Sequence, residues 1–500
     1  MTQEHDDAVL GIDLGTSSVK VVLADSSGHL LRTSTHEYPV LRPHPGWAEA
    51  DPNHWWAAIV TGVAVVTAGI DSTRIRSIGL AGQMHGVVLV DAAGQVVRDA
   101  ILWADARAEL GAYRALPGPL LAGLSNPLSP GMEGPILAWL SAHEPSAMSR
   151  AQWAMQPKDW VRGRLTGVWA TEPSDASATL LYDVIADDWS DAVLAALGLS
   201  RGLLPPMLAH SGVNAGPLRP EAARELGVPA GIAVSAGAGD TPAAALGSGL
   251  LQPGTTQLTI GTGVQIVSPV SPPAPSTLPA VDHIVTHLYR DATPHGWYAM
   301  AAGLTGGTTL AWVRNLFGIE WDALYAAAGH VARADDPLFL PHVMGERTPY
   351  LDTSMRGAWL ELNTRHDREA MLYAALEGVA FAVADGLQAM PSAESRPEPV
   401  WLAGGGTKDP AWRALLASVL EVELLAVDVP NASARGAALL GSLAAGLLTH
   451  GELAQVTRPA TKSAGSPRPN PILAARRHRY LSALATGRAA TTSKGEPHAS

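Results

Sequence analysis

The chain has 500 residues, a formal net charge of −12 and no cysteine. Because this length exceeds what one ordinary hydrophobic core needs, we expect two domains. The acidic balance excludes nucleic acid as the main partner, and the lack of cysteine excludes disulfides and cysteine-ligated zinc.

The N-terminus and the hydropathy pattern predict a cytoplasmic protein without a membrane partner. Residues Met1 to Asp7 are polar and acidic, unlike the basic start of a signal peptide. No uninterrupted apolar run approaches the ~20 residues that a membrane-spanning helix needs.

The first predicted element is a strand–turn–strand unit. Ala8 to Gly15 and Val19 to Ala24 have the composition of buried strands, and Thr16 and Ser17 lie in the turn between them. Closely packed N–H groups and hydroxyls can hold a phosphate, although an ordinary hairpin explains the turn equally well. Asp13 stands in the apolar strand, where a carboxylate needs a cation or donors. A role towards a bound metal is therefore attractive.

A second candidate site follows a helix that Asp51 and Pro52 open and a buried strand from Ile75 to Ala81. Gln83, Met84 and His85 come between two glycines at the end of that strand, where α/β sheets bind their ligands. A lone histidine is more often structural, but this position favours a ligand contact.

Another strand is predicted from Ile101 to Trp103, and Asp105 and Arg107 follow it. An indole, a carboxylate and a guanidinium can together bind a polyol, or the two charges can form a surface ion pair. Residues 108–230 contain helical runs and proline-rich joints, and we expect them to cover the sheet of the first domain.

The midpoint of the chain carries a carboxylate at the end of a small-residue strand. Residues 231–239 lead into Asp240, and the segment from Thr241 has helical character. A dinucleotide-binding fingerprint does not fit, because Pro242 occupies a position that requires glycine or alanine. Asp240 is therefore a candidate catalytic group of another kind.

The segment from Gln257 to Val267 repeats the first strand–turn–strand unit in outline. Gly261, Thr262 and Gly263 take the place of the first turn. The repeat predicts a duplicated domain with one phosphate loop in each copy.

A glycine-rich turn follows the predicted strand from Val400 to Ala403. It consists of Gly404, Gly405, Gly406 and Thr407. Three glycines leave bare backbone against which a flat ring or a phosphate can lie, and a tight strand-to-helix turn rarely needs three.

Three helices are predicted in the second half of the chain. They run from about Asp367 to Met390, from Asp409 to Leu420 and from Ala432 to Leu448. The chain has no G-x-x-x-x-G-K-[ST], H-E-x-x-H or G-x-S-x-G motif, so P-loop, zinc-protease and α/β-hydrolase chemistry have no support.

Seven motifs in this chain resemble those of the FGGY carbohydrate kinases, and they occur in the family's order. AGQMHG and GERTP favour the branch of the family that acts on xylulose over glycerol kinase and other relatives. The motifs are GIDLGTSSVK (Gly11–Lys20), HPGWAEADPNHWW (His44–Trp56), AGQMHG (Ala81–Gly86), AILW (Ala100–Trp103), GAGD (Gly237–Asp240), GERTP (Gly345–Pro349) and GGGTKDPAWR (Gly404–Arg413).

The resemblance implies an α/β fold of two duplicated actin-like (ribonuclease H-like) domains around a central cleft. We expect an N-terminal domain over residues 1–245, a C-terminal domain over 246–486 and a disordered tail over 487–500. Family members are often homodimers, but no interface can be recognised in the sequence.

The resemblance also implies ATP, Mg²⁺ and a small sugar as ligands. Asp13 would hold Mg²⁺, and Asp240 would be the base. The other implied contacts are Gly15, Thr16, Ser17, Gly261, Thr262 and Gly263 for phosphates, Gly404, Gly405, Gly406 and Thr407 for adenosine, and Met84 and His85 for the sugar, with Gln83, Trp103, Asp105 and Thr241 as further candidates there.

Two departures from the family pattern fall on the sugar side. Thr241 stands where asparagine is usual, and Ala104-Asp105 stands where Asn-Asp is frequent. The expected reaction is ATP-dependent phosphorylation of D-xylulose to D-xylulose 5-phosphate. The alternatives are D-ribulose, L-xylulose, another ketose or a polyol as acceptor, or an actin-like nucleotide-binding protein without sugar chemistry, against which AGQMHG and GERTP argue.

Overall fold

A computed structural model describes residues 7–391 and 399–492 of the protein. The described strands are β1 (Ala8–Leu14), β2 (Ser18–Asp25), β3 (Leu30–Glu37), β4 (Glu49–Ala50), β5 (Ile75–Gly82), β6 (Val88–Val90), β7 (Ala100–Ile101), β8 (Trp153–Met155), β9 (Tyr182–Asp183), β10 (Asp188–Trp189), β11 (Asn214–Pro217), β12 (Ala233–Ser235), β13 (Ala238–Gly239), β14 (Thr256–Ile260), β15 (Val264–Val270), β16 (His287–Arg290), β17 (Trp297–Gly303), β18 (Leu338–Leu340), β19 (Ala358–Leu360), β20 (Val400–Ala403), β21 (Leu424–Val427) and β22 (Thr461–Gly465).

Helices alternate with these strands along both halves of the chain. They are α1 (Pro52–Thr67), α2 (Gly111–Arg114), α3 (Gly118–Leu124), α4 (Glu133–His143), α5 (Pro145–Arg150), α6 (Pro157–Thr166), α7 (Pro173–Ala176), α8 (Asp191–Leu197), α9 (Pro220–Leu226), α10 (Asp240–Ser248), α11 (Gly307–Phe317), α12 (Trp321–Ala326), α13 (Arg368–Gln388), α14 (Pro410–Leu420), α15 (Ala432–Ala444), α16 (His450–Val456) and α17 (Pro471–Thr492).

Two seven-stranded sheets form the cores of the two halves. In the first, β1, β2 and β3 are antiparallel, β5 and β12 run parallel to β1, and β11 closes the edge. In the second, β14, β15 and β17 are antiparallel and β20 and β21 run parallel to β14. The shared pairing pattern shows two sheet-cored α/β domains of like construction, as the sequence predicted.

Local capping explains why several helices begin where the sequence predicts. The carboxylate of Asp51 accepts a hydrogen bond from the N–H of Asn53 at the start of α1. The carboxylate of Asp409 likewise accepts from the N–H of Trp412, with Pro410 in the first helical position. These side chains satisfy N–H groups that a helix cannot bond internally.

Helix α15 belongs to the second half of the chain but packs on the first sheet. A Cβ on Gly79 of β5 would lie 1.7 Å from the carbonyl oxygen of Ala437. A Cβ on Gly436 would lie 1.9 Å from that of Ala243 in α10. Such close backbone approach explains the small-residue composition of α15, which ends at Ala444 rather than at Leu448 as predicted.

Among the described helices, one is long and apolar enough by length and composition to cross a bilayer. It is α13, and 78% of its apolar window is buried inside the protein. It packs against α14 and β18 as a core helix of the second half.

The C-terminal helix extends beyond the predicted domain limit at residue 486. Residues 487–492, which the sequence analysis assigned to a disordered tail, belong to α17, and residues 493–500 of that tail lie outside the described residues. The other domain limits and the homodimer stay predictions.

Candidate active site

Asp240 is the first residue of α10, at the end of the short strand β13. This strand continues the first sheet, because Gly239 pairs in register with Gly82 at the end of β5. A Cβ on Gly239 would lie 2.7 Å from Cγ of Met84, so a larger residue there would force that side chain to move. The arrangement brings Asp240 next to the predicted Gln83–His85 segment.

The electrostatic environment of Asp240 favours its protonated form. Burial raises its pKa to about 7, and the nearby charge of Asp13 adds to the increase, while Thr241 lowers it by hydrogen bonding. Burial also raises the pKa of Asp13, against opposing effects of Ser433 and Lys20. The structure therefore brings Asp13 and Asp240 close enough for their charges to interact, and burial disfavours the ionised form of both.

A buried polar network holds the backbone that leads into Asp240. The N–H of Gly239 donates to Oγ of Ser174 (3.1 Å), whose hydroxyl donates to Glu172 (2.7 Å). The guanidinium of Arg162 donates to the carbonyl of Ala236 (2.8 Å). Lys158 forms an ion pair with Glu172, and all these side chains are fully buried. The sequence analysis did not identify these supports, which lie in the segment assigned only to covering the sheet.

The first predicted phosphate loop joins β1 to β2. The carbonyl of Gly15 accepts hydrogen bonds from the hydroxyl of Tyr38 and from Nε2 of Gln83 (3.1 Å). The indole N–H of Trp103 donates to Oγ1 of Thr16 (2.8 Å). Gln83 and Trp103, both predicted for the sugar side, thus contact this turn, and Ser17 in the same turn is exposed.

His85 and Met84 lie at the join between the two halves. Nδ1 of His85 is 2.7 Å from the carbonyl oxygen of Ala178, and its ring is 6.0 Å from that of Tyr289 in β16. Burial lowers the pKa of His85 to about 4, with a further contribution from the charge of Arg347. The hydroxyl of Tyr298 points at the sulfur of Met84 (3.9 Å). His85 is therefore a neutral ring at neutral pH.

Asp105 does not join the other predicted sugar contacts. It is 2% exposed, and its oxygens accept from the N–H of Ala48 (2.6 Å) and from the backbone and guanidinium of Arg107. Arg107 also pairs with Glu49 and stacks on Trp47. The pair is buried rather than on the surface, and it fixes the loop that carries Trp103.

Thr241 connects the two halves beside Asp240. Its hydroxyl lies 3.3 Å from Oδ1 of Asp240 and accepts a hydrogen bond from Nε2 of Gln265 (3.2 Å) on β15. The same amide lies 3.1 Å from the sulfur of Met300. Gln265 was not among the predicted site residues, and its position two residues after the second turn was the available signal.

The second predicted phosphate loop joins β14 to β15 and borders a pocket. The N–H groups of Gly307 and Thr308, which open α11, donate to the carbonyls of Gly261 and Thr262. A Cβ on Gly263 would lie 2.6 Å from the carbonyl oxygen of Gly303. The turn is therefore a compact backbone structure held against a helix start.

The pocket has a volume of about 770 Å³. Gly405 and Gly406 form one wall, and the stacked rings of Trp321 and Tyr325, 5.6 Å apart, lie on another. The adjoining turn is rigid, because Gly404 has φ +98° and Thr407 donates to its carbonyl (2.8 Å). The structure thus brings the glycine-rich turn and the second loop to one cavity, whose aromatic wall the sequence analysis missed.

Comparison with known proteins identifies the family. The sequence matches the profile of the N-terminal domain of the FGGY family of carbohydrate kinases over residues 8–247 and that of its C-terminal domain over residues 258–445. The chain belongs to the FGGY family of carbohydrate kinases.

Several relatives extend over most of the chain. The chain is 36% identical over 418 residues to a xylulose kinase of Escherichia coli, covering 82% of this chain and 84% of that protein. It is 30% identical over 456 residues to a glycerol kinase of Bordetella parapertussis, covering 88% and 89%. A crystal structure of a xyloylose kinase from Brucella ovis matches with a TM-score of 0.87 and 33% identity over 96% of this chain and 99% of that one.

The site of this FGGY kinase has features that suit Mg²⁺ and a nucleotide. Asp13 and Asp240 are two buried carboxyls whose shared negative charge a divalent cation would offset, and Mg²⁺ in proteins commonly binds one or two carboxylates together with substrate phosphates. Within residues 7–391 and 399–492, no three His, Cys, Asp or Glu side chains form a metal cage. The pocket beside Gly261 has the size, bare backbone and aromatic wall that a nucleoside phosphate requires.

Proposed function

We propose that this carbohydrate kinase transfers the γ-phosphoryl group of ATP to a ketopentose, D-xylulose, with Asp240 as the general base. The observation that carries the proposal is that Asp240 follows Gly239, which packs against Met84, and that its charge interacts with that of Asp13. Its carboxyl is buried, faces Asp13, and has a pKa of about 7. A base whose pKa lies near the working pH is ionised in a large fraction of molecules and still has a high affinity for the proton that it accepts.

The reaction needs positioning and charge neutralisation more than covalent chemistry. The hydroxyl oxygen of the sugar attacks the γ-phosphorus, the bond from phosphorus to the bridging oxygen breaks, and ADP leaves. The hydroxyl proton passes to Asp240. Thr241 keeps the carboxylate oriented through its contact with Oδ1. Mg²⁺, held by Asp13, would neutralise charge on the phosphates.

The remaining predicted contacts would bind the two ends of ATP, its adenosine and its γ-phosphate. The pocket between Gly405, Gly406 and Trp321 would take the adenosine, and the turn from Gly261 to Gly263 would hold the phosphates nearest to it. The first turn, with Thr16 and Ser17, would meet the γ-phosphate. Closure of the two halves would keep water from competing for ATP.

Two relatives and one residue bear on the identity of the acceptor. The xylulose kinase relative favours D-xylulose. Thr241, whose hydroxyl is already engaged by Gln265, leaves the choice open, and the glycerol kinase relative shows that the family also includes proteins named for a polyol. A second candidate acceptor is therefore D-ribulose, L-xylulose, another ketose or a polyol.

A coupled ADP-release assay over a sugar and polyol panel tests the acceptor. We expect D-xylulose to have the highest kcat/KM. Another acceptor that exceeds D-xylulose would replace it without affecting the role of Asp240.

The Asp240→Asn variant tests the base separately. We expect kcat to fall by roughly 10²–10⁴-fold with the fold retained, and wild-type kcat/KM to rise with pH through about 7 as Asp240 loses its proton. Normal turnover by Asp240→Asn would refute the assignment. The matched Asp282→Asn variant, at an exposed position, should keep full activity.

A further inference from the structure

Arg347 is a cleft residue to which the proposed mechanism assigns no role. It follows Glu346, which is 3% exposed and accepts hydrogen bonds from the N–H of Leu304 (2.6 Å) and of Arg347 itself (2.8 Å). The N–H of Thr348 donates to the carbonyl of Ala302 on β17 (3.0 Å). The backbone of Arg347 is thus fixed to the strand next to β15, on the second half of the molecule.

The side chain of Arg347 reaches the first half. Its Cζ lies 5.8 Å from the ring centre of Trp103, and the indole of Trp103 donates to Thr16 in the first phosphate loop. The charge of Arg347 also contributes to the lowered pKa values of His85 and His287. The guanidinium therefore lies between the first turn and the sugar-side histidines.

The guanidinium of Arg347 belongs to an exposed residue. In the described parts of the chain it forms no hydrogen bond and no ion pair. The buried guanidinium groups of Arg107, Arg162 and Arg476 all bond to carboxylates. A cation that is held beside the first phosphate loop through Trp103, with its donors unused among the described residues, is suited to an anionic ligand that carries several oxygens.

The sequences of the two turns explain why such a cation is needed. Neither residues 15–17 nor residues 261–263 include lysine or arginine, so the turns supply only N–H groups and hydroxyls. Lys20 lies on β2 opposite Asp13, and Lys408 lines the pocket on the nucleotide side. Arg347 alone of these three contacts the loop that carries Trp103.

We propose that Arg347 binds the non-bridging oxygens of the phosphoryl group while it passes from ADP to the sugar hydroxyl. In this step the sugar oxygen–phosphorus bond forms, the bond to the bridging oxygen of ADP breaks, and the proton goes to Asp240. The guanidinium remains protonated throughout and donates hydrogen bonds whose strength increases as charge spreads over the transferred group. The proposal rests on the kinase activity of the family and not on D-xylulose as the acceptor.

The test compares Arg347→Gln and Arg347→Lys in the full-length enzyme with the best acceptor of the panel. We expect Arg347→Gln to lower kcat by about 10²-fold or more while the KM for the sugar stays within about three-fold. Arg347→Lys keeps the charge but loses the planar guanidinium, so we expect its kcat to be about ten-fold higher than that of Arg347→Gln. Arg76→Gln, at an exposed arginine 3.5 Å from Asp7, is the matched control and should keep full activity.

A binding measurement separates a phosphoryl contact from a structural role. ADP with Mg²⁺ and aluminium fluoride, a mimic of the transferred group, is titrated against each variant by calorimetry, with ADP alone as the reference. We expect Arg347→Gln to weaken the fluoride-containing complex by about ten-fold or more and to leave ADP affinity unchanged. Hydrolysis of ATP without sugar should fall in parallel, so this readout is independent of the acceptor.

Three results would overturn the inference. Unchanged kcat in Arg347→Gln would show that Arg347 does not contact the phosphoryl group. A raised KM for the sugar at normal kcat would show that Arg347 binds the sugar instead. Equal loss of ADP and fluoride-complex affinity would also contradict it. If Arg347→Gln fails to fold by circular dichroism, the same comparison is decided with Arg347→Lys. Failure of D-xylulose in the panel would count only against the proposed acceptor.

Discussion

The hairpins β1–β2 and β14–β15 have the same strand pairing but carry different turns. Leu14 pairs with Val19 at the end of the first, and Ile260 pairs with Val264 at the end of the second. The first turn, residues 15–18, is bonded by side chains from elsewhere in the first half, including Tyr38. The second, residues 261–263, is bonded instead by the backbone at the start of α11.

The hairpins also differ in charge. Asp13 lies two residues before Gly15, whereas Thr259 lies two residues before Gly261. The first hairpin therefore offers a carboxylate next to hydroxyls, and the second offers an uncharged backbone turn beside a pocket. We therefore propose that the first hairpin serves the metal and the acceptor, and that the second hairpin serves the nucleotide.

Asp13→Asn should give the largest difference between the hairpins. We expect kcat to fall by about 10²-fold or more, because the proposed Mg²⁺ ligand is lost, while the thermal midpoint is kept. The matched change in the second hairpin, Thr259→Val, should alter kcat only slightly. Equal losses in the two variants would show that the hairpins do not divide the chemistry in this way.

The concentration of buried negative charge at the first hairpin predicts a stability effect at Asp240. Its folded pKa of about 7 lies above the ordinary value of 3.8, so the ionised carboxylate destabilises the folded state. Asp240→Asn should raise the free energy of unfolding by about 1–3 kcal/mol above pH 7. The gain should shrink as the pH falls below 7 and should vanish only below 3.8, where the wild-type carboxyl is protonated in both states.

Urea unfolding at pH 8 and pH 4.5 measures this effect. Asp282→Asn, at an exposed site, should show little dependence on pH by comparison. A loss of stability at pH 8 in Asp240→Asn would mean that the carboxylate is well compensated in the folded protein.

Gly261→Ala tests the second hairpin without disturbing the fold. A Cβ at Gly261 would meet no protein atom within 4 Å, yet the residue lines the pocket. The added methyl group should obstruct the phosphates and raise the KM for ATP about ten-fold, with the KM for sugar unchanged. Gly118→Ala, also without a neighbour within 4 Å, is the control. An unchanged KM for ATP would place the phosphates elsewhere.

Trp103→Phe should have the smallest effect. It removes only the hydrogen bond to Thr16, a loss of about 0.5–1.5 kcal/mol in the positioning of the first turn. We expect kcat/KM to fall a few-fold and the KM for ATP to change little. A loss as large as that of Asp13→Asn would indicate that the indole itself contacts a substrate.

Much of the local structure was predictable because it depends on neighbouring residues. Apolar runs with a glycine-containing turn predicted both hairpins, and Asp–Pro pairs predicted the starts of α1 and α14. Asp240 was correctly placed at a strand end before a helix. The family and its kinase chemistry followed from seven short motifs in order.

Contacts between distant segments were not predictable from such patterns. Asp105 was expected at the sugar, but the structure engages it with Ala48 and Arg107. Arg347 lay in a quoted motif without an assigned role, since nothing local shows that its side chain reaches Trp103. Helix α15 lies in the second half of the chain, yet it packs on the first sheet.

The sequence by itself determined the two turns, their strands and the carboxylates at Asp13 and Asp240, since hydrophobic pattern and glycine position act over a few residues. Only the tertiary structure decided that Asp13 and Asp240 lie close enough for their charges to interact, that burial raises both their pKa values, and that the side chain of Arg347 reaches the ring of Trp103. The reason is physical: desolvation and charge coupling depend on which segments pack together, and sequence spacing does not encode that distance.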